Sequence, residues 1–430
     1  MPHPTDTANL ESRLLAEIQK IPILDPHSHI NPHAAAAKSL DEILGYHYYT
    51  ELAHSAGMDK GPLQPSVSGL ERAFAIAQYL PAMANTEQVR WLLEIARTFF
   101  GFTGEAIDGS NIESLFREAG RIASQPNWAD QVWQRSGLER VFLTNDFDDP
   151  LDGFDTERFV PCLRTDDLVF RLGEQATIER LRRASSCDVS DQRSLSAAIG
   201  KLFEHFTSRG AKACAISLPP DFEPSDVVSA EIDSTLRLVL SGRSVLGDDM
   251  RGVERFVFWT LASHCAEFQL PFDLMIGVNR RVYRNGVFQG QDLFDQRTSL
   301  YQYRELFNAF PGVTFPISVL TSNQNQELVS YAWIFPNVLP HGHWWYSNIP
   351  AYIAPDLTAR LTALPATKQI GYYSDAYKLE FVLPKFNMYR RVLASVLARE
   401  FVAARRGSET GAIELARRVL YDNPKRVFGV

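Results

Sequence analysis

Cysteine is scarce in this chain, with four in 430 residues. Cys162, Cys187, Cys214 and Cys265 lie far apart without a Cys-x-x-Cys spacing, which excludes a zinc ribbon and a disulfide framework and predicts reduced thiols in a cytoplasmic protein. Long hydrophobic runs are missing as well. No stretch approaches the roughly 18 apolar residues of a membrane span, and residues 1–10 are polar and proline-bearing, so neither a bilayer segment nor a secretory signal is expected. Positive charge is not in excess: 43 Lys and Arg stand against 51 Asp and Glu, a formal charge of −8 with no basic block. That balance argues against nucleic acid and membrane surfaces as partners and leaves a small polar substrate. Repeats, low-complexity tracts and inter-domain linkers are also absent. What the chain does have is 45% hydrophobic and 22% charged residues, enough for a large core throughout one domain spanning 1–430. Nothing in the composition decides whether copies associate, and a homo-oligomer stays open.

The pattern along the chain is one of short apolar runs separated by helical stretches. Residues 21–29, Ile21-Pro22-Ile23-Leu24-Asp25-Pro26-His27-Ser28-His29, read as a strand ending in two histidines. Further strands are expected at 140–146, 160–164, 213–218, 272–277, 313–319, 338–344 and 369–375. Eight strands alternating with helices predict an α/β fold, a distorted (β/α)8 TIM barrel, and polar residues at the strand ends place the chemistry at that rim. A leading amphipathic helix is expected over 9–19, from the spacing of Leu10, Leu14, Leu15 and Ile18. Residues 31–136 are helical in pattern and far too long for an ordinary loop, which predicts a helical insertion after strand 1, over the active-site face. Ser39-Leu40-Asp41-Glu42 resembles a capping signal, and 87–100 carries a long apolar face. After the last strand, 379–404 reads as a helix interrupted at Pro384, with another helix over 411–420.

Alternate side chains of a strand share a face, so His27 and His29 point the same way and can chelate one divalent cation. The alternative is two ordinary histidines at a strand end. Strands one and eight are neighbours in a closed barrel, which gives His27, His29 and Asp375 a common focus. There a cation can act as a Lewis acid or orient a chelating substrate while the carboxylate serves as general base. Asp375 could instead be a helix N-cap. Arg164 offers a planar fork for a carboxylate, or an ordinary ion pair. Tyr46-His47-Tyr48-Tyr49 brings an imidazole and phenols suited to proton relay, or core and rim packing. His341 and His343, beside Trp344 and Trp345, could be further ligands or a substrate wall. His33, His54, His205 and His264 are expected to be structural or solvent-facing.

These residues, taken in order, resemble the uronate isomerases of the amidohydrolase superfamily, whose barrel is of the metal-dependent hydrolase type. The resemblance rests on Asp25-Pro26-His27-Ser28-His29, Tyr46-His47-Tyr48, Leu143-Thr144-Asn145-Asp146, Leu163-Arg164, Ser217-Leu218-Pro219-Pro220, Met275-Ile276-Gly277-Val278, Trp344-Trp345 before Asn348, and Ser374-Asp375-Ala376. It runs from about residue 10 to residue 400. It implies a metal-dependent aldose–ketose isomerase of sugar acids, interconverting D-glucuronate with D-fructuronate and D-galacturonate with D-tagaturonate. By that resemblance His27, His29 and Asp375 hold one metal ion, with zinc expected, and the ion takes the substrate's carboxylate and C5 hydroxyl. Asp375 works with that hydroxyl to move the C2 proton to C1 through a cis-enediol, Tyr48 sits at the C1 oxygen with His47 beside it, and Arg164 assists substrate binding. Two departures stand out. The family pattern has an arginine two residues after the strand-eight aspartate, where this chain has Tyr377 followed by Lys378. The family has small or apolar residues where this chain has His341 and His343. Tyr377, His343, Trp344 and Trp345 are therefore candidates for a changed substrate wall, and the other activities expected of such a site are a hydrolase or decarboxylase acting on another acid, or sugar-acid binding without turnover.

Overall fold

The short apolar runs pair in parallel and in chain order, and the two ends of that order meet. In the computed structural model, which describes residues 4–226, 229–405 and 407–430, the first strand Ile23–Asp25 pairs with the second, Leu138–Phe142, and that with Phe159–Val160. Pro161 has no N–H to give a ladder and interrupts the third strand there. The chain resumes as Cys162–Arg164, flanked by Asn145–Asp146 on one side and by the fourth strand, Ala213–Leu218, on the other. The fifth strand Phe272–Ile276, the sixth Phe315–Val319 and the seventh Val338–Pro340 follow in sequence. All five residues of the fifth and of the sixth strand are buried, as expected where helices cover the outside and side chains fill the inside.

The eighth segment departs from the ladder expected over 369–375. It makes a single bridge, His341 to Ile370, with Ile370 N donating to Pro340 O at 3.0 Å and Gly342 N to Ile370 O at 2.9 Å. Gly371 N turns outward to Val419 O in the C-terminal helical segment, so the neighbouring strand loses that partner. The ring is nonetheless closed. Asp375 N donates to His27 O at 3.1 Å, and His29 N to Ala376 O at 2.8 Å, joining the eighth segment to the first.

Between the first and second strands run the helices Leu40–Leu44, His47–Ser55, Gly69–Ala77, Glu87–Phe100, Ile112–Ala123 and Trp128–Ser136. Glu87–Phe100 starts where the Thr86 side chain accepts from Val89 N, buries Trp91, Leu92, Ile95, Phe99 and Phe100, and stops at left-handed Gly101. Ser39 stands at the N-cap of Leu40–Leu44, but its hydroxyl goes to Asp41 Oδ1 instead of the helix backbone. The leading helix is Pro4–Ile18, longer at its start than the apolar spacing predicts, and it lays Leu10, Leu14 and Ile18 against Val382–Val396. Pro384 does not break that last helix: it falls in the first turn, where backbone N–H groups have no intrahelical partner to lose. The helix expected over 411–420 runs Glu409–Arg417 before widening into a π turn. One apolar cluster joins the leading, inserted and C-terminal helices to the first strands; a second fills the space between strands four to seven and their helices.

Candidate active site

Residues 26–30 follow directly on the first strand, Ile23–Asp25, and so carry His27 and His29 at its C-terminal end. Their ring centroids lie 5.3 Å apart, edge to face. His29 Nδ1 sits 2.6 Å from Thr144 Oγ1, whose hydroxyl donates to Ser28 O at 3.1 Å. Since that hydroxyl hydrogen is already used, the oxygen accepts from Nδ1–H, and the free lone pair of His29 is on Nε2. His29 Nε2 lies 3.2 Å from Asp375 Oδ1, and His27 Nε2 lies 3.7 Å from the same oxygen.

Asp375 is held there by its backbone. Its φ of 52° is left-handed, a conformation that a non-glycine residue keeps only when its surroundings impose it. Here Tyr46 Oη donates to Asp375 O at 2.9 Å, and Lys385 Nζ donates to Ser374 O at 2.8 Å and to Tyr46 Oη. Asp25 Oδ1 takes Ser374 N at 2.8 Å, and its other oxygen takes the Ser374 hydroxyl. Burial pushes the Asp375 carboxyl up, but His29, His27 and Lys385 outweigh it and bring it down to about 2. It is ionised at neutral pH.

With both imidazoles neutral and protonated on Nδ1, three electron-rich atoms face one another: the two Nε2 atoms and Asp375 Oδ1, all donor atoms of the triad lying within 4.8 Å of one another. His27 Nε2 and Asp375 Oδ1 are buried and have no hydrogen-bond partner. Lone pairs packed this way repel unless a cation lies between them, and two imidazoles with a carboxylate are a donor set that divalent metals take. The residues fit a divalent metal ion.

Above the triad opens a cavity of about 210 Å³, below the roughly 300–1,000 Å³ typical of drug-sized ligands, and so of a size for a small polar molecule. His47, Arg164, Trp344, Trp345 and Tyr377 line it, as do Thr144 and Ser217. His47 Nδ1 is 2.7 Å from Glu51 Oε1, which orients the ring. Tyr377 stacks on His29, centroids 5.0 Å apart, and burial with the nearby Asp375 raises its phenol to about 12, so it is a neutral donor. Arg164 lines the pocket and at the same time pairs with Asp166, its Nε 3.1 Å from Oδ2. The ion-pair reading of that arginine is thus observed, with the residue still at the cavity wall.

Two expected site residues lie elsewhere. His343, read as part of the substrate wall, is buried with its ring 5.8 Å from Tyr389 and does not line the cavity. The chain turns just before it, at Gly342, which has φ 53°, and His343 lies in the interior. Tyr48 lines an adjoining cavity of about 560 Å³, on which Trp345 also borders, and its Oη is buried without a partner. Lys378 is taken by the insertion, donating to Ala34 O and pairing with Glu42.

Other residues at the site carried no signal as candidates. Arg280 lines the pocket, Nη1 bonded to Asp292 and Nη2 donating to Ser217 Oγ at 3.2 Å. It stands three residues beyond Gly277, past the fifth strand's end, a position that fold rules alone single out. His33, His54, His205 and His264 make ring or backbone contacts away from the site.

Compared with known proteins, the chain matches the glucuronate isomerase family over residues 6–428. The chain belongs to that family. The uronate isomerase of Thermotoga petrophila is 24% identical to it over 445 residues, covering 97% of this chain and 96% of that protein. The crystal structure of uronate isomerase from Thermotoga maritima superposes with a TM-score of 0.90 at 21% identity, covering 98% of this chain and 97% of that one. Glucuronate isomerase from Caulobacter crescentus gives 0.89 at 19% identity, covering 100% and 95%. The fold is thus the distorted barrel of the family. Within the glucuronate isomerase family this chain is an aldose–ketose isomerase by kinship, and no helix among the described residues is long and apolar enough to cross a membrane.

Proposed function

We propose that this protein interconverts hexuronates and their 2-keto isomers, D-glucuronate with D-fructuronate and D-galacturonate with D-tagaturonate. The reading is supported by one observation above all: in a chain that matches the family from residue 6 to 428, His27, His29 and Asp375 converge at the floor of a small polar pocket. A divalent ion held by these three, zinc by the resemblance to the family, would supply Lewis acidity toward the substrate's carboxylate and C5 hydroxyl. Everything else falls to the chain. Asp375, ionised and rigid, works with the C5 hydroxyl to take the proton from C2 and return it to C1 through a cis-enediol. His47, aimed by Glu51, relays the proton between the oxygens in our reading, with Tyr48 behind it. Arg164 clamps the acid, with Arg280 beside it. Tyr377 donates a neutral hydrogen bond where the family pattern has an arginine, so the developing oxyanion gets less charge stabilisation from that position.

In this reading residues 1–430 form one domain and 31–136 form the wall over the pocket, with Trp344 and Trp345 opposite. The four free cysteines suit a cytoplasmic setting. The test is direct. Purified protein with D-glucuronate or D-galacturonate should form ketose, lose that activity to a chelator and regain it with zinc, while Asp375→Asn should fall by about a thousandfold or more. Full turnover by Asp375→Asn would remove the assigned base. Carbon dioxide release, or solvent oxygen in the product, would replace isomerisation with decarboxylation or hydrolysis.

A further inference from the structure

The fifth strand is apolar except at one place. Among Phe272, Leu274, Met275 and Ile276, all buried, stands Asp273, 3% exposed. A carboxylate in such surroundings is costly unless both its oxygens are engaged. They are, and by two histidines. Oδ1 is 3.0 Å from His341 Nδ1, and Oδ2 is 3.5 Å from His27 Nδ1. His341 reaches it from just past the seventh strand and is entirely buried.

The hydrogen positions follow from the chemistry of the groups. An ionised carboxylate only accepts, so the imidazole nitrogen facing each oxygen carries its hydrogen. In His27 this places the proton on Nδ1 and leaves a lone pair on Nε2, the atom that faces Asp375 and has no other partner. His29 reaches the same tautomer by a different route, through the neutral hydroxyl of Thr144. One ligand is thus oriented by an anion and the other by an alcohol. An anion behind a ligating imidazole both fixes its ring and makes it a stronger donor.

We propose that Asp273 is a positioning residue for the metal site, and that a buried chain of three residues, His341–Asp273–His27, running from the seventh strand through the fifth to the first, sets how tightly the ion is held. This rests on the reading of His27 as a ligand. His341, which departs from the family pattern, then has a purpose: its Nδ1–H holds the carboxylate from the far side, so that the other oxygen stays turned to His27. Asp273 does not line the cavity and is not one of the three donors.

Zinc affinity, measured by competition with a chromophoric chelator, separates this role from simple packing. Asp273→Asn should bind Zn2+ about 10- to 100-fold more weakly than the unaltered protein. Thr144→Val should lose less. His341→Gln, which keeps a donor for the carboxylate, should stay near the unaltered affinity, and His341→Leu should fall below it. The unaltered protein can also be read directly, should Asp273→Asn not fold: with 15N-labelled histidine and zinc bound, the NMR spectrum should show His27 and His341 protonated on Nδ1 with slowly exchanging protons. An Asp273→Asn variant that binds zinc as tightly as the unaltered protein, or a His27 protonated on Nε2, overturns the proposal while leaving the isomerase reading in place. An unaltered protein that takes up no zinc or other divalent ion removes the metal site itself, and both readings with it.

Discussion

Asp25 does not line the pocket, yet the placing of Asp375 depends on it. Its side chain is fully buried below the rim, and burial raises its carboxyl to about 6 against the pull of the Ser374 hydrogen bonds. Ser374 immediately precedes Asp375, so the bonds from Ser374 to Asp25 hold the left-handed turn that aims the Asp375 carboxylate. Asp25→Ala would leave the Ser374 N–H without its acceptor inside the barrel, at about 1–3 kcal/mol for each buried group left unpaired. We expect a loss of about 2–4 kcal/mol in urea unfolding together with weaker metal binding. A variant within about 0.5 kcal/mol of the unaltered protein would show that the turn is held by Tyr46 and Lys385 alone. At this scale the sequence is legible where chemistry repeats a strand's period: His27 and His29 follow from a spacing of two, and Asp375 from being at the end of the last strand. Asp273, Thr144 and Lys385 are not legible that way. Each acts through a partner more than a hundred residues off, or hidden within an apolar run, and nothing local marks a buried polar residue as paired. His343 shows the converse. Its place beside the tryptophan pair suggests a wall residue, but the chain turns just before it, at left-handed Gly342, and the residue lies in the core.

Among the elements, the helices of 31–136 are fastened to the barrel by Glu380, which follows the eighth segment. Its oxygens accept Ala37 N at 2.9 and 3.1 Å, and one takes Trp128 Nε1 at 3.0 Å, so the start and the end of the inserted stretch meet on one carboxylate. Burial raises that carboxyl from 4.5 to about 7, with the hydrogen bonds opposing. In the folded protein it keeps its proton at pH values where the unfolded chain has lost it. The resulting stabilisation is complete below about pH 4.5 and is lost as pH rises through about 7, on the order of 3 kcal/mol in all. Glu380→Gln removes this titration while keeping an acceptor. Between pH 4 and pH 8 the variant should therefore gain about 3 kcal/mol relative to the unaltered protein, in urea unfolding at both pH values. Parallel pH profiles would show that Glu380 binds its proton alike in the folded and unfolded protein. The helical pattern of 31–136 is legible in the sequence as periodicity, and so are the apolar runs that become the first seven strands, though not the break at Pro161 or the end of the seventh at Pro340. The eighth is not legible as a ladder, because its pairing is decided by Gly371 bonding to Val419 and by the missing N–H of Pro340, neither of which alternation in hydrophobicity records.

For the molecule as a whole, the ion site joins the first and last parts of the ring. His27 and His29 come from the first segment and Asp375 from the eighth, where two backbone hydrogen bonds, Asp375 N to His27 O and His29 N to Ala376 O, join the two. A cation bound by side chains on both sides of that seam acts as a cross-link, and because the unfolded chain does not hold the three donors together, its binding free energy adds to folding. At a free metal concentration a hundredfold above Kd, the stabilisation is about 2.7 kcal/mol. The thermal midpoint should rise on zinc addition and return on chelation. Local exchange is the sharper measure, since a general stabilisation slows every amide of the core, whereas a cross-link slows first those at the seam it spans. Hydrogen exchange of the His29 and Asp375 amides should slow more on metal binding than that of Ile317 or Leu274, which belong to continuous ladders and not to the seam. If instead all four slow equally, the ion stabilises the protein without bridging the seam, and the shared focus of His27, His29 and Asp375 is not where it binds.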